Sequence, residues 1–423
     1  MSLFKDNPFH LKASCNNSRE FGLPQSTKIR SSSSHITETF KILGALEYNK
    51  QNAYWYINGD LLTITYQSNR ELSAILAVLN RQGIEIQYVQ APANDFQLPG
   101  YENLELSTQN LIADAIKYGI QFQVLDEVEQ IVKLTYGSHT EYVKEGNITH
   151  FDSALSHALM ENKIVTKEIL NAAGIQVPSG YEFHDIRDAL AHFDQLPSAF
   201  VVKPKSTNYG IGISIFKETT TQADYEQAVK IAFENDDAII VETYAHGTEY
   251  RFYVQNEEVL AVLERFPANV VGDGIHSIKQ LVAIKNTDIR RGEHHRTPLE
   301  KIKLGDVEQL TLSLQGVNDN SIPKVQEQVF LRENSNVSTG GDSIDRTDQV
   351  SDYYKAVAVK VAHALDVTIT GVDIIIADAS QEGPYFVIEA NQNPMMQMHL
   401  FPAFGQSRRV TESLIRLLFP ESI

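Results

Sequence analysis

Asp373, Glu389 and Asn391 are the residues of this chain whose types and spacing point most directly to chemistry. They lie in Gly371-Val-Asp-Ile-Ile-Ile-Ala-Asp378 and Tyr385-Phe-Val-Ile-Glu-Ala-Asn-Gln-Asn-Pro394, two apolar runs around a polar turn. Such a pattern reads as an antiparallel hairpin. Glu389 and Asn391 are two apart, hence on one face, and folding about the turn brings Asp373 opposite them. Two carboxylates at about 5 Å repel by roughly 3 kcal/mol at an effective dielectric near 20. A hard cation resolves that conflict, and an oxygen-only donor set suits Mg²⁺, which commonly shares its shell with substrate phosphates.

A second chemical segment is Val201-Val-Lys-Pro-Lys-Ser-Thr-Asn-Tyr-Gly-Ile-Gly-Ile213. A strand delivers Lys203, Pro204 is expected to end the ladder, and a polar loop through Gly210 and Gly212 enters a new strand. Glycines let the backbone approach a ligand and offer N–H groups to phosphate oxygens. No Gly-Lys-Ser/Thr opens a helix here, so this is not a Walker A loop, and a strand follows where a dinucleotide fingerprint needs a helix. An ordinary hairpin is the competing reading. The third segment, Ile239-Ile-Val-Glu-Thr-Tyr-Ala-His-Gly-Thr-Glu-Tyr-Arg-Phe-Tyr-Val254, ends one strand at Glu242. A turn at His246-Gly247 then opens another with Glu249 and Arg251 on one face. The backbone at such a strand end can meet a purine edge and a carboxylate can accept from ribose hydroxyls, though each Glu alone also reads as a solvated surface residue.

These segments need a scaffold. With 42% apolar and 21% charged residues among 423, the chain can build a large core in two to four domains or subdomains. A net charge of −18 argues against general affinity for nucleic acid or an anionic membrane. Cys15 is the single cysteine, so no intramolecular disulfide forms. No signal peptide and no run of 18 apolar residues is found, which makes the cytoplasm the default location.

Residues 1–35, ending in a serine tract, read as a flexible segment, and 36–100 as a small α/β region with a hairpin around Asn58-Gly-Asp60, a helix over Arg70–Gln82 and a strand over Ile84–Val89. Residues 101–160 form a further α/β region, with a helix over Leu106–Tyr118 and strands near Gln121–Asp126, Ile131–Tyr136 and Glu141–Lys144. A helix near Lys163–Ala173 stops at Gly174, with Pro178 beyond. Residues 161–245 and 246–423 read as two α+β subdomains. The second holds a charged excursion at 267–330, and a last helix is expected near Arg409–Leu418. Arg290, Arg291, His294, His295 and Arg296 form a basic cluster that reads either as substrate recognition or as a solvated loop.

The order Asn162-Lys163-x-x-Thr166-Lys167, Lys203-Pro, Val241-Glu242 to Gly247-x-Glu249, and Asp373 to Glu389-x-Asn391 resembles the ATP-grasp superfamily over about 160–400. Asn269-Val-Val-Gly-Asp-Gly-Ile-His276, Asp288-Ile-Arg-Arg-Gly292 and Leu331-Arg-Glu-Asn-Ser-Asn-Val-Ser-Thr-Gly-Gly-Asp-Ser-Ile-Asp345 narrow it. They resemble the C-terminal glutathione synthetase domain of bifunctional γ-glutamylcysteine synthetase–glutathione synthetases, and also the ATP-grasp part of cyanophycin synthetases. Leu106-Ser-Thr-Gln109 extends the likeness to the former over roughly 101–423. The glutamate–cysteine ligase module of the bifunctional enzymes finds no counterpart in 1–100, and the Mur-ligase-like half of cyanophycin synthetases none after the hairpin. D-alanine–D-alanine ligases place an Arg two residues before the metal Asp, where this chain has Gly371. Arg332 is expected to supply that positive charge from another strand.

The resemblance implies an α+β ATP-grasp fold gripping ATP and an ATP-dependent ligase that activates a carboxylate as an acyl phosphate for attack by an amine. Glutathione synthesis is the leading reaction, with another γ-glutamyl or amino-acid pair, or an inactive ATP-binding regulator, as alternatives. Lys163 and Lys203 would meet nucleotide phosphates, beneath a loop carrying Ser206, Asn208, Gly210 and Gly212. Glu242 and backbone near Tyr244 would meet adenine, and Glu249 ribose. Asp373, Glu389 and Asn391 would hold Mg²⁺, as a pair of ions with Mn²⁺ as a substitute. Arg332 and Lys203 would act in catalysis, and Arg251, Arg296 and Asn393 would face the substrates. The implied partners are small carboxylates and amines, with homo-oligomerisation a family expectation.

Overall fold

The computed structural model describes residues 25–30, 53–58, 61–66, 87–89, 96–98, 101, 103–206 and 212–422. The chain falls into two compact units, Met1–Thr149 with Arg409–Ile423, and His150–Arg408.

In the first unit, Ala53–Asn58 and Leu61–Tyr66 pair antiparallel with Asn58 opposite Leu61, the hairpin expected around Asn58-Gly-Asp60. Gln25–Arg30 is a strand between Leu61–Tyr66 and Gln87–Val89. That corrects the expectation of a wholly flexible 1–35: Ser-Thr-Lys-Ile carries the alternating β-branched residues that favour a strand. The helix expected over Arg70–Gln82 and the serine tract lie outside the described residues. The helix Leu106–Lys117 and the strands Gln121–Asp126, Ile131–Tyr136 and His139–Lys144 follow. Asp114 on that helix is fully buried and accepts from Arg409 Nη2 at 2.7 Å and from the Thr411 hydroxyl. These bonds tie the helix to the last one, Val410–Leu418.

The second unit is built on two antiparallel sheets. The smaller orders Ser214–Phe216, Phe200–Pro204, Ile239–Thr243 and Gly180–Phe183 side by side. Tyr225, Val229 and Ala232 of the helix Gln222–Phe233 bury against Phe200, Val202 and Val241. Pro204 does not end the ladder: it lies opposite Ile239, and the Lys205 N–H beyond it donates to Ala238 O at 3.0 Å. A proline removes one donor, and a strand tolerates that where the bond is not required of it.

The larger sheet orders Asp342–Asp345, Glu258–Phe266, Thr248–Gln255, Ile369–Ile376 and Tyr385–Asn391. The helix Asp352–Ala364 seals its apolar face through Tyr354, Val357 and Val361, packed with Phe252, Val262, Val372 and Ile374. The excursion at 267–330 has its own small core of Val270, Ile278, Leu281, Leu312 and Val329. The helix Ala154–Glu161, capped by the Ser153 hydroxyl, was not anticipated from the sequence. It leads straight into Lys163–Ala172, whose cap Asn162 accepts from the Ile164 and Val165 N–H groups at 3.3 Å. That cap fixes where the helix starts, and so aims Lys163 and Lys167, one turn apart on one face.

Candidate active site

Glu242, 6% exposed, is the penultimate residue of the strand Ile239–Thr243, opposite Val201. Lys203, opposite Ile240, lies on the neighbouring strand. Its ammonium donates to Glu242 Oε1 at 2.5 Å, and Lys167 from the helix donates to Glu242 Oε2. Burial would raise the Glu242 carboxyl, but Lys203 and Lys167 together hold it below its usual range. Burial, with Lys203 close by, pulls Lys167 down to about 8 despite its contact with Glu242. Lys163 is also lowered by burial, against the pull of Glu389. Two ammonium groups therefore hold one buried carboxylate, with Lys163 within electrostatic reach of both Glu389 and Glu242.

The second centre is the hairpin. Asp373 pairs with Glu389 and Gly371 with Asn391, with a register shift just after Asp373. Asp373, 2% exposed, receives Arg251 Nε on Oδ1 and Arg251 Nη2 on Oδ2 at 2.7 Å. Arg265 Nη2 reaches Oδ2 at 3.4 Å. Burial opposes the ionised Asp373, yet Arg251 and then Arg265 hold its carboxyl below the usual range. Gly371 makes room for this pair: a Cβ there would lie 2.9 Å from Pro394 Cβ and 3.0 Å from Arg251 Cδ. The positive charge beside the metal-type aspartate thus arrives from the adjacent strand Thr248–Gln255. Arg332 has another partner. Its Nε donates to Glu308 Oε1 at 2.5 Å.

Other expected residues are engaged in ways the sequence did not foretell. Both Glu249 oxygens are taken, Oε1 by Arg265 Nη1 at 2.7 Å and Oε2 by the Ser335 hydroxyl at 2.6 Å. The Tyr244 N–H donates to Ala199 O at 3.1 Å. Ser206 N–H donates to Asp236 Oδ2 at 2.5 Å. Gly212 adopts φ +72°, and a Cβ there would meet Pro204 Cγ at 2.8 Å, so the loop exit requires glycine on both counts. Asn208 and Gly210 lie outside the described residues. Arg296 is exposed on the turn 293–298, and Asn393 is half-buried beside the hairpin end.

Two residues of the basic cluster, Arg290 and Arg291, make structural contacts. Arg291 and Lys285 share Asp342, and Arg290 bonds Asp288 and the carbonyls of Pro402 and Ala403. Around Ser338-Thr-Gly-Gly341, the N–H groups of Thr339 and Gly341 donate to Asn336 O and that of Gly340 to Val337 O. This is a tight turn with its donors used internally.

Lys167 and Arg265 contact the candidate-site acids Glu242 and Asp373 and were left unassigned by sequence reasoning. The signal for Lys167 was its place in Asn162-Lys163-x-x-Thr166-Lys167. Arg265 gave none, because its role depends on which strand lies next to Thr248–Gln255. His399, fully buried beside Tyr253, has no hydrogen-bond partner for either ring nitrogen among the described residues. Burial, aided by Arg251 and Arg265, keeps it neutral, with its pKa at about 3.

Among the described residues no three His, Cys, Asp or Glu side chains gather as a metal centre. The candidate clamp is instead two carboxylates and an amide, a donor set that fits a hard cation chemically. Each ionised carboxylate offers about four lone-pair sites, so the guanidinium contacts leave Asp373 further acceptor capacity. Glu389 already lies within electrostatic reach of the Lys163 cation.

A model of the ATP-grasp-like domain family matches residues 102–155. The glutathione biosynthesis bifunctional protein of Enterococcus faecalis is 46% identical over 390 residues, 90% of this chain and 51% of its own length. That of Pasteurella multocida is 50% identical over 339 residues, 78% of this chain and 45% of its own. The crystal structure of a bifunctional glutathione synthetase from Pasteurella multocida superposes with a TM-score of 0.64 at 46% identity, over 84% of this chain and 48% of that one. The chain spans about half the length of the curated relatives it matches. No described helix is long and apolar enough to cross a membrane. With Lys163 and Lys167 on a helix, Lys203 and Glu242 on the smaller sheet and Asp373, Glu389 and Asn391 on the larger one, all in one unit, the chain has an ATP-grasp fold and resembles the bifunctional glutathione biosynthesis proteins.

Proposed function

We propose that the chain is an ATP-dependent carboxylate–amine ligase that joins γ-glutamylcysteine to glycine, releasing ADP and phosphate. The observation that carries this reading is the buried pairing of Lys167 and Lys203 on the two oxygens of Glu242, with Lys163 between the fields of Glu389 and Glu242. Desolvated ammonium groups favour further anionic charge, and a polyphosphate supplies it. Likeness to the bifunctional relatives supports the substrate pair.

In the proposed reaction the donor carboxylate oxygen takes the γ-phosphoryl group of ATP and ADP leaves. The amine then attacks the acyl carbon, phosphate departs, and the amine gives up its proton. Lys203 and Lys163 bind phosphates, with Ser206, Asn208, Gly210 and Gly212 in the covering loop. Backbone at Glu242 and Tyr244 borders adenine. Glu249 borders ribose, held in place by Arg265 and Ser335. Asp373, Glu389 and Asn391 hold Mg²⁺, taken as a pair of ions with Mn²⁺ as a substitute, which when bound neutralises phosphate charge. Arg251 takes over from Arg332 the expected role beside Asp373, while Arg296 and Asn393 remain on the substrate side. A cytoplasmic homo-oligomer completes the proposal.

The test is ADP release from the whole chain with ATP, Mg²⁺ and donor–acceptor pairs. Stimulation by γ-glutamylcysteine plus glycine is expected. Stimulation by a different pair alone would replace the substrates, and no stimulation by any pair would remove the ligase reading.

A further inference from the structure

The ligase reading assigns phosphate contacts to Lys163 and Lys203 and leaves Lys167 without a role. Resting on that reading, we propose that Lys167 is a positioning residue for the nucleotide: it grips one oxygen of Glu242 so that Lys203, on the other, is presented to the phosphates.

The geometry supports this. Lys167 projects from the same helix face as Lys163 and is 11% exposed at its side chain; Lys203 is 13% and Glu242 5% exposed. Each ammonium holds a different oxygen of the same carboxylate. Without Lys167, Glu242 could swing toward Lys203 alone and draw its ammonium away from an incoming anion. The charged groups facing Lys167 are Lys203 from the strand Phe200–Pro204 and Glu242 from the strand Ile239–Thr243, with Lys163 one turn earlier on its own helix.

A consequence follows for pH. Without ligand, burial and Lys203 leave Lys167 with a pKa of about 8. An anion arriving at this centre stabilises the ammonium, so nucleotide binding raises its proton affinity. By linkage, binding takes up protons near and above pH 8 and weakens as pH rises through that value.

The test is titration calorimetry of Mg-ADP against the whole chain at pH 7.5 and 9.0, in two buffers of different ionisation enthalpy. For the wild type, affinity is expected to fall about three- to ten-fold between the two pH values, with proton uptake at pH 9.0. Lys167→Arg keeps the cation charged throughout. It is expected to bind within about three-fold of wild type at pH 7.5 and to lose less than about two-fold by pH 9.0. Lys167→Met is expected to bind about ten-fold or more weakly at pH 7.5, the loss of one charge-assisted hydrogen bond. Lys163 is present in all three proteins, so its own titration cancels in the comparison. A Lys167→Arg slope equal to wild type, or Lys167→Met binding equal to wild type, overturns the inference alone. No binding by the wild type at either pH removes the ligase reading, and the inference with it.

Discussion

Two buried carboxylates in one unit are each held by two cations, but by different ones. Asp373 is held by Arg251 and Arg265, and Glu242 by Lys167 and Lys203. Guanidinium groups stay charged at any physiological pH and present planar forks; ammonium groups are point charges whose pKa falls readily on burial. The structure follows that chemistry. Arg251 is raised above its usual range, with Asp373 outweighing burial, while Lys167 is pulled down to about 8. The Asp373 centre is therefore fixed scaffolding behind the hairpin. The Glu242 centre rests instead on ammonium groups, one of them with its proton affinity lowered by burial.

The sharpest way to break this contrast is to remove one cation from each centre. Arg251→Met leaves the buried Asp373 with only the longer Arg265 contact. It is expected to destabilise the second unit by about 3–5 kcal/mol, read as a shift in urea midpoint. A loss below about 1 kcal/mol would mean that the centre is not the fixed one described. Lys203→Met acts on ligand binding: a lost charge-assisted contact to phosphate is worth roughly 1.5–3 kcal/mol, so Mg-ADP affinity should drop by about 10- to 100-fold. Unchanged affinity would take Lys203 out of the phosphate site.

Lys167→Met should have the opposite sign on stability. A native pKa near 8 against about 10.4 unfolded means that the native state binds fewer protons between those values, so this group's contribution rises with pH there. Below pH 8 its ammonium costs on the order of 1–3 kcal/mol in the unliganded protein. The Met variant at pH 7 should accordingly be more stable than wild type in urea, even as it binds nucleotide more weakly. Destabilisation by more than about 1 kcal/mol would make the two centres alike.

The same contrast separates what the sequence shows from what it hides. The hairpin of Asp373, Glu389 and Asn391 is legible because apolar alternation, a polar turn and a period of two are local signals. The pairing of Asp373 with Glu389 follows from them. The helix carrying Lys163 and Lys167 is legible from its Asn162 cap and its Gly174 stop. The partners of those acids are not legible. Arg251, Arg265 and Asp373 meet because Glu258–Phe266, Thr248–Gln255 and Ile369–Ile376 lie side by side, across more than a hundred residues of chain. Strand order is a non-local fact that periodicity does not carry. Arg332 was expected beside Asp373 for the same reason: only the strand order shows that Arg251, mid-strand opposite Asp373, lies there.

Arg332 supplies the smallest expected effect and the last check. Its side chain is 25% exposed and contacts Glu308, which also accepts from the Gly305 N–H at 3.0 Å and so keeps a partner if the arginine is lost. Arg332→Ala should therefore cost about 1 kcal/mol, nearer to a surface pair than to a buried one. It should leave Mg-ADP affinity within about two-fold of wild type and turnover within about three-fold, because neither centre changes. A drop in turnover of about a hundred-fold with unaltered stability would show that Arg332 leaves Glu308 during the reaction. The charge beside Asp373 would then be supplied in two parts, Arg251 from the adjacent strand at rest and Arg332 only in turnover.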